Sequence, residues 1–136
     1  MNTRLCRADV PVESTWNLSD LFADEAAWEA EFRAVDEAQQ AFGIYQGKLG
    51  DVGGGAATLL ACLNALEALQ LRLMRVGTFA RLRNAQDGTD GQHQAAVAQV
   101  TALHARVDAA TSFVDAEILA LPDGQLQRWM ADEPGL

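Results

Sequence analysis

Apolar side chains at Trp28, Phe32, Val35, Ala38, Phe42 and Tyr45 recur in steps of three and four, with Glu25, Glu29, Asp36 and Glu37 elsewhere on the wheel. That spacing stacks the apolar groups on one face of a 3.6-residue turn and predicts an amphipathic helix over about 24–43. Asp24 is placed to cap its first turn, the early acids suit its positive N-terminus, and Gly43 and Gly47 loosen its end.

Leu59, Leu63, Leu66, Leu73, Val76 and Phe79 keep helical spacing through a second stretch, and Leu60, Leu69, Leu71 and Leu82 widen the stripe. A helix over about 56–86, apolar on more than one side, follows. Gly77 interrupts it and costs about 1 kcal/mol against alanine, so it implies either a closely packed neighbour or a bend. Ala96, Val100, Leu103, Val107, Ala110, Val114, Ile118 and Leu121 then form the cleanest stripe in the chain, a helix over about 90–121. Thr89 and Gln92 have the spacing of a capping box at its start, and Pro122 ends it. Asp123 is placed to cap a last short helix over about 123–132, through Leu126, Trp129 and Met130, which Glu133-Pro134-Gly135 terminates. The glycine-rich run Gly50–Gly55 reads as a flexible connection, since glycine is costly in regular structure. The expected fold is all-α: one domain over 1–136, an antiparallel bundle built on a long helical hairpin with the first helix packed across it.

Composition agrees with that fold and narrows the function. Alanine and leucine dominate the apolar residues, aromatics make up 7%, and 136 residues suffice for a single core. The net charge of −9 opposes a grip on phosphate backbones or anionic membranes, so nucleic acid and membrane are not expected partners. Residues Met1–Val12 lack the apolar core of a signal peptide, and the stretch Ala56–Ala80 is broken by Asn64, Glu67, Arg72 and Arg75, so no membrane span is expected. Cys6 and Cys62 form no CxxC motif or disulfide framework, which suits a reducing, cytoplasmic setting. Arg72, Arg75, Arg81 and Arg83 cluster locally, as a salt-bridged helix face or a docking surface.

No catalytic constellation emerges from the chain. His93 and His104 are the only histidines, eleven residues apart on one expected helix. That places them about 16 Å apart along the axis, too far to share an ion as a His-Glu-x-x-His helix does, and they read as surface or boundary residues. Ser14, Ser19 and Ser112 lie outside any Gly-x-Ser-x-Gly elbow, and neither cysteine has an activating sequence context. Asp20, Asp24, Glu25 and Glu29 are close in sequence but fall mostly on a solvated side. A phosphate loop at Gly50–Gly55 would need a following Gly-Lys-Ser/Thr, where Ala56 and Ala57 stand instead. No catalytic, cofactor-binding or metal-binding residue is therefore assigned.

Several short segments carry a family likeness. They are Thr15-Trp16-Asn17-Leu18-Ser19-Asp20-Leu21-Phe22, then Trp28 and Phe32 in an acidic helix, then Phe42 with Tyr45-Gln46-Gly47-Lys48-Leu49. Ala80-Arg81-Leu82 before Asp87 and Asp90, and Ala110-Thr111-Ser112-Phe113-Val114-Asp115-Ala116-Glu117-Ile118-Leu119, complete the series. In order and spacing these resemble the N-terminal helical region of oligoendopeptidase F and its relatives, the M3 family of zinc metallopeptidases. The resemblance spans about Glu13 to Leu136 and stops short of the family's His-Glu-x-x-His helix and downstream glutamate ligand.

The resemblance implies a parent protein that holds zinc and cleaves short, unfolded peptides in a deep channel, with this helical domain as channel wall or gate. The chain alone would then be no enzyme, and an excised, proteolytic or truncated piece whose partners are the missing catalytic domain and, through it, peptides. Loss of that domain should expose an apolar helix face and favour self-association. The alternative is a stand-alone helical interaction module. Trp16, ahead of Leu18, Leu21 and Phe22, is expected to anchor its segment on the bundle, truncation costing about 3 kcal/mol or more.

Overall fold

The computed structural model describes residues 6–50 and 54–136. Five α-helices run in chain order among them: α1 (Glu25–Ala41), α2 (Gly55–Gln86), α3 (Gly91–Thr111), α4 (Phe113–Leu119) and α5 (Gln125–Asp132). Three short 3-10 turns precede α1, a fourth (Phe42–Tyr45) extends it, and no strand occurs among the described residues. The fold is all-α, as expected. Asp51, Val52 and Gly53, the centre of the expected glycine-rich connection, lie outside the described residues; Gly54 and Gly55 already open α2.

Helix α1 begins where its cap predicts, the Asp24 carboxylate accepting from Ala27 N–H at 2.8 Å. It runs antiparallel to α2, because Glu25 pairs with Arg83 near one end and Glu31 with Arg72 further along. Trp28 fixes the register between those pairs. It is 3% exposed, donates its indole N–H to the Val76 carbonyl at 3.0 Å, and stacks on Phe79 at 6.3 Å between centroids.

The α2–α3 hairpin packs closely at Gly77. A Cβ there would stand 3.3 Å from Val100 Cγ1 and 3.0 Å from Arg81 Nη1, so the missing side chain lets α3 close on α2. Of the two explanations for Gly77, the packed neighbour holds. Leu59, Cys62, Leu73, Val76, Val100, Leu103 and Val107 fill the space between these helices and α1.

The structure corrects three boundary expectations. Asp90, not Thr89, caps α3, accepting from Gln92 N–H at 2.7 Å; Asp87 has claimed Thr89 through its hydroxyl at 2.6 Å and its N–H at 3.0 Å. The expected helix over 90–121 breaks at Ser112, whose hydroxyl turns back to the Ala109 carbonyl at 3.0 Å, leaving α3 and α4 as separate helices. Asp123 caps nothing: α5 starts from Gly124 at φ 75°, the left-handed region that glycine tolerates. Helix α5 nevertheless docks through Trp129, 7% exposed, whose ring lies against Gly55.

Candidate functional site

His93, Asp20, Asp24 and Glu25 are engaged in local bonds of the fold, while His104 and Glu29 are not. His93 lies at the start of α3, Nδ1 3.1 Å from the Asp87 carbonyl oxygen and Nε2 3.6 Å from the Asp90 carboxylate. His104 is on the α2-facing side, its Nε2 buried without a hydrogen-bond partner beside Gly77. Asp20 accepts from Asn17 at 2.9 Å, Asp24 caps α1, and Glu25 meets Arg83 at 3.2 Å. Glu29 borders a shallow polar hollow with Trp28 and Gln92. Among the described residues no three His, Cys, Asp or Glu side chains gather around one point.

Among the described residues no basic side chain bonds Cys62, Ser19 or Ser112. Burial pushes the Cys62 thiol above its ordinary value, with a further push from the Glu117 carboxylate, while Cys6 is exposed. The Ser19 hydroxyl donates to Asn17 at 2.6 Å and that of Ser112 to the Ala109 carbonyl.

The arginine cluster divides. Arg72 makes a two-pronged contact with Glu31 at 2.6 and 3.1 Å. The Arg72 hydrogen bond holds the Glu31 carboxyl below its usual range against an opposing push from burial, and the charges of Arg72 and Arg75 add to the lowering. Arg75 donates to the Leu21 carbonyl and lies 4.6 Å over the Phe22 ring, while Arg83 lies 5.6 Å over Phe79. Arg81 has no acid partner among the described residues.

Two further contacts hold the segments on either side of α1. The Glu117 carboxylate on α4 accepts from Gly47 N–H at 2.6 Å and Leu49 N–H at 3.1 Å, holding the turn after α1. Phe22, buried edge-on against Phe79 at 5.4 Å, seats the segment before α1 on α2. Sequence spacing does not reveal the Glu117 contact, since its partners lie 70 and 68 residues away.

The expected Trp16 anchor is overturned. Trp16 is 54% exposed, its carbonyl receives a 3.3 Å bond from Gln86, and it borders a hollow of about 210 Å³ with Arg7, Val10 and Ala85 instead of entering the core. Trp28 and Trp129 are the buried tryptophans.

What remains open is apolar surface. Leu71 and Met74 on α2 are 59% and 62% exposed, and Ile44, after α1, is 61% exposed. Beside them a groove of about 320 Å³ runs between α1 and α2, lined by Ala38, Ala41, Phe42, Ile44, Ala65 and Ala68 among others. Only 22% of the most apolar 18-residue stretch of α2 is buried. By length and composition alone α2 meets what a membrane-crossing helix needs, despite its interruptions at Asn64, Glu67, Arg72 and Arg75. It nevertheless packs against α1, α3 and α5.

Comparison with characterised proteins places these features in context. Over 130 residues the chain is 32% identical to oligopeptidase PepF of Bacillus subtilis (strain 168), a match covering 96% of this chain and 19% of that protein. Group B oligopeptidase PepB of Streptococcus agalactiae serotype III (strain NEM316) is 30% identical over 130 residues, 96% of this chain and 21% of the relative. The plasmid-borne oligoendopeptidase F of Lactococcus lactis subsp. cremoris is 20% identical over 126 residues, again covering 21% of the relative. The chain thus spans about a fifth of the length of these curated relatives. No family model and no solved structure matches it.

Proposed function

From a chain homologous over nearly all its length to about a fifth of the oligoendopeptidase F-type oligopeptidases, we propose that it serves such a peptidase as its non-catalytic N-terminal helical domain. The wider protein would hold zinc and hydrolyse short, unfolded peptides, while these helices wall or gate the space in which peptides are cut. The observation that carries the proposal is the mismatch in coverage, 96% of this chain against 19% of the relative.

The test is direct. Purified chain should bring down no stoichiometric zinc on metal analysis and should not cleave a short quenched fluorescent peptide. Turnover accompanied by one zinc per chain would overturn the assignment of a non-catalytic role.

A further inference from the structure

We infer that Asp123-Gly124, at the entry to α5, is a site of spontaneous covalent modification: of the Asp-Gly pairs in this chain, it is the one the fold leaves free to close into a succinimide and reopen as isoaspartate.

The sequence holds three such pairs, Asp87-Gly88, Asp90-Gly91 and Asp123-Gly124, and the last two both continue into glutamine, at Gln92 and Gln125. Two identical Asp-Gly-Gln triplets make an internal control. A difference in reactivity between Asp90 and Asp123 that vanishes on unfolding belongs to the fold.

Closure balances as follows. The Gly124 nitrogen attacks Asp123 Cγ of the neutral carboxyl; the N–Cγ bond forms, the Cγ–OH bond breaks, and that hydroxyl leaves with the amide proton as water. Water adding to the Asp123 main-chain carbonyl carbon then breaks its bond to nitrogen, so the chain runs through Cγ. Water adding to Cγ restores aspartate. The net change is an isomerisation with water as the only co-reactant. It asks that the carboxyl be free to reach back and that the Asp-Gly peptide be free to rotate, and glycine, without a Cβ, hinders neither.

At the first two pairs both freedoms are taken. The Asp87 carboxylate accepts from the Thr89 hydroxyl at 2.6 Å and N–H at 3.0 Å, bonds that hold its carboxyl below the usual range, and its carbonyl oxygen lies 3.1 Å from His93 Nδ1. The Asp90 carboxylate accepts from Gln92 N–H at 2.7 Å as the cap of α3, and its carbonyl accepts from Gln94 N–H at 3.2 Å. Rotating either peptide breaks these bonds.

Asp123 is held by none of this. It is exposed, its side chain has no hydrogen-bond or ion-pair partner among the described residues, and neither its carbonyl nor the Gly124 N–H makes a backbone bond there. The turn is closed instead by Gln125 N–H on the Pro122 carbonyl at 3.0 Å, with Gly124 at φ 75° and ψ −1°, a type II turn. Gly124 also accepts the negative φ of a type I turn, so the Asp123-Gly124 peptide can flip while that bond persists. Isoaspartate would add one carbon to the main chain where α5 begins, a helix seated by Trp129 against Gly55.

The experiment incubates the purified chain for weeks at neutral pH and 37 °C, natively and in guanidinium chloride. Peptide mapping with electron-based fragmentation, which separates isoaspartate from aspartate, then reads each pair. In the native chain Asp123 should convert about tenfold faster than Asp90, the factor that one or two hydrogen bonds are worth. In denaturant the two should convert alike. Thr89→Ala should raise conversion at Asp87 several-fold, and Asp123→Glu should abolish the α5 product because a six-membered ring closes far more slowly; circular dichroism melts confirm that both variants stay folded. Native conversion at Asp87 or Asp90 as fast as at Asp123 overturns the inference, as does a native chain unmodified at Asp123 while the denatured chain reacts. An Asp123 to Asp90 ratio unchanged by denaturant, or Thr89→Ala without effect at Asp87, overturns it too, by removing the fold as the cause.

Discussion

Trp28→Ala should cost more than any other single aromatic truncation in this chain, and its magnitude can be worked from contacts. The ring is 3% exposed, lies 5.6 Å from Phe32 and 6.3 Å from Phe79, and bonds the Val76 carbonyl at 3.0 Å. A buried tryptophan covers about 200 Å², worth about 5 kcal/mol at about 25 cal/mol per Å² as an upper bound. Core truncations of this size measure about 3–5 kcal/mol. The lost hydrogen bond adds little, because a carbonyl inside α2 retains its helical partner; Trp28→Phe should therefore cost only about 1–2 kcal/mol. Trp16→Ala, from a ring 54% exposed, should cost about 1 kcal/mol or less. Urea unfolding followed by circular dichroism at 222 nm reads all three without relying on tryptophan fluorescence. With a slope of about 2 kcal/mol per M, Trp28→Ala should lower the midpoint by about 2 M and Trp16→Ala by less than about 0.5 M. A larger shift for Trp16→Ala than for Trp28→Ala would refute the assignment of the anchor.

Glu117→Ala should destabilise by about 1–2 kcal/mol, because it leaves the N–H of the buried Leu49 without its acceptor while water can reach that of exposed Gly47, and Glu117→Gln should recover part of the loss; thermal melts rank the pair. Gly77→Val should cost about 2 kcal/mol or more by pushing on Val100, measurable by the same unfolding series. Because Glu31 has its carboxyl lowered from 4.5 in the folded chain, the stability it contributes is present above that value and is lost as pH falls through the lower folded value. Both partners are partly solvated, so a double-mutant cycle of Glu31→Gln with Arg72→Gln should give about 1 kcal/mol at pH 7, shrinking below pH 4.5. Titration with a thiol reagent should consume Cys6 at once and Cys62 only on unfolding; two thiols reacting at equal speed in the native chain would contradict the burial of Cys62.

The helices α1 and α2 were legible because local signals agree there: the Asp24 cap precedes an unbroken 3.6-residue stripe, and Gln86 gives way to an Asp-Gly turn. The break at Ser112 was not, because Ala110, Val114 and Ile118 keep phase across it and no proline or glycine marks it. Trp16 misled because ring size alone does not decide burial: Phe22 and Trp28, not Trp16, are the aromatic rings packed on Phe79. Asp87 and Asp90 could each be read as turn residues, yet which one caps α3 depended on the competing bond to Thr89. On the candidate surface, the apolar excess of α2 was plain in the sequence, but which arc stays open is decided by where α1, α3 and α5 settle.

The Glu117 contact has a kinetic meaning. It closes a loop of 70 residues that contains both α2 and α3, whereas the hairpin inside that loop is joined by a short turn from Asp87 to Asp90. Loop-closure entropy therefore favours pairing of the hairpin before the carboxylate reaches Gly47 and Leu49. A contact made so late stands outside the folding nucleus, so its removal speeds unfolding while leaving the folding rate nearly untouched. Glu117 acts as a latch: it governs how long the folded chain lasts rather than how quickly it forms.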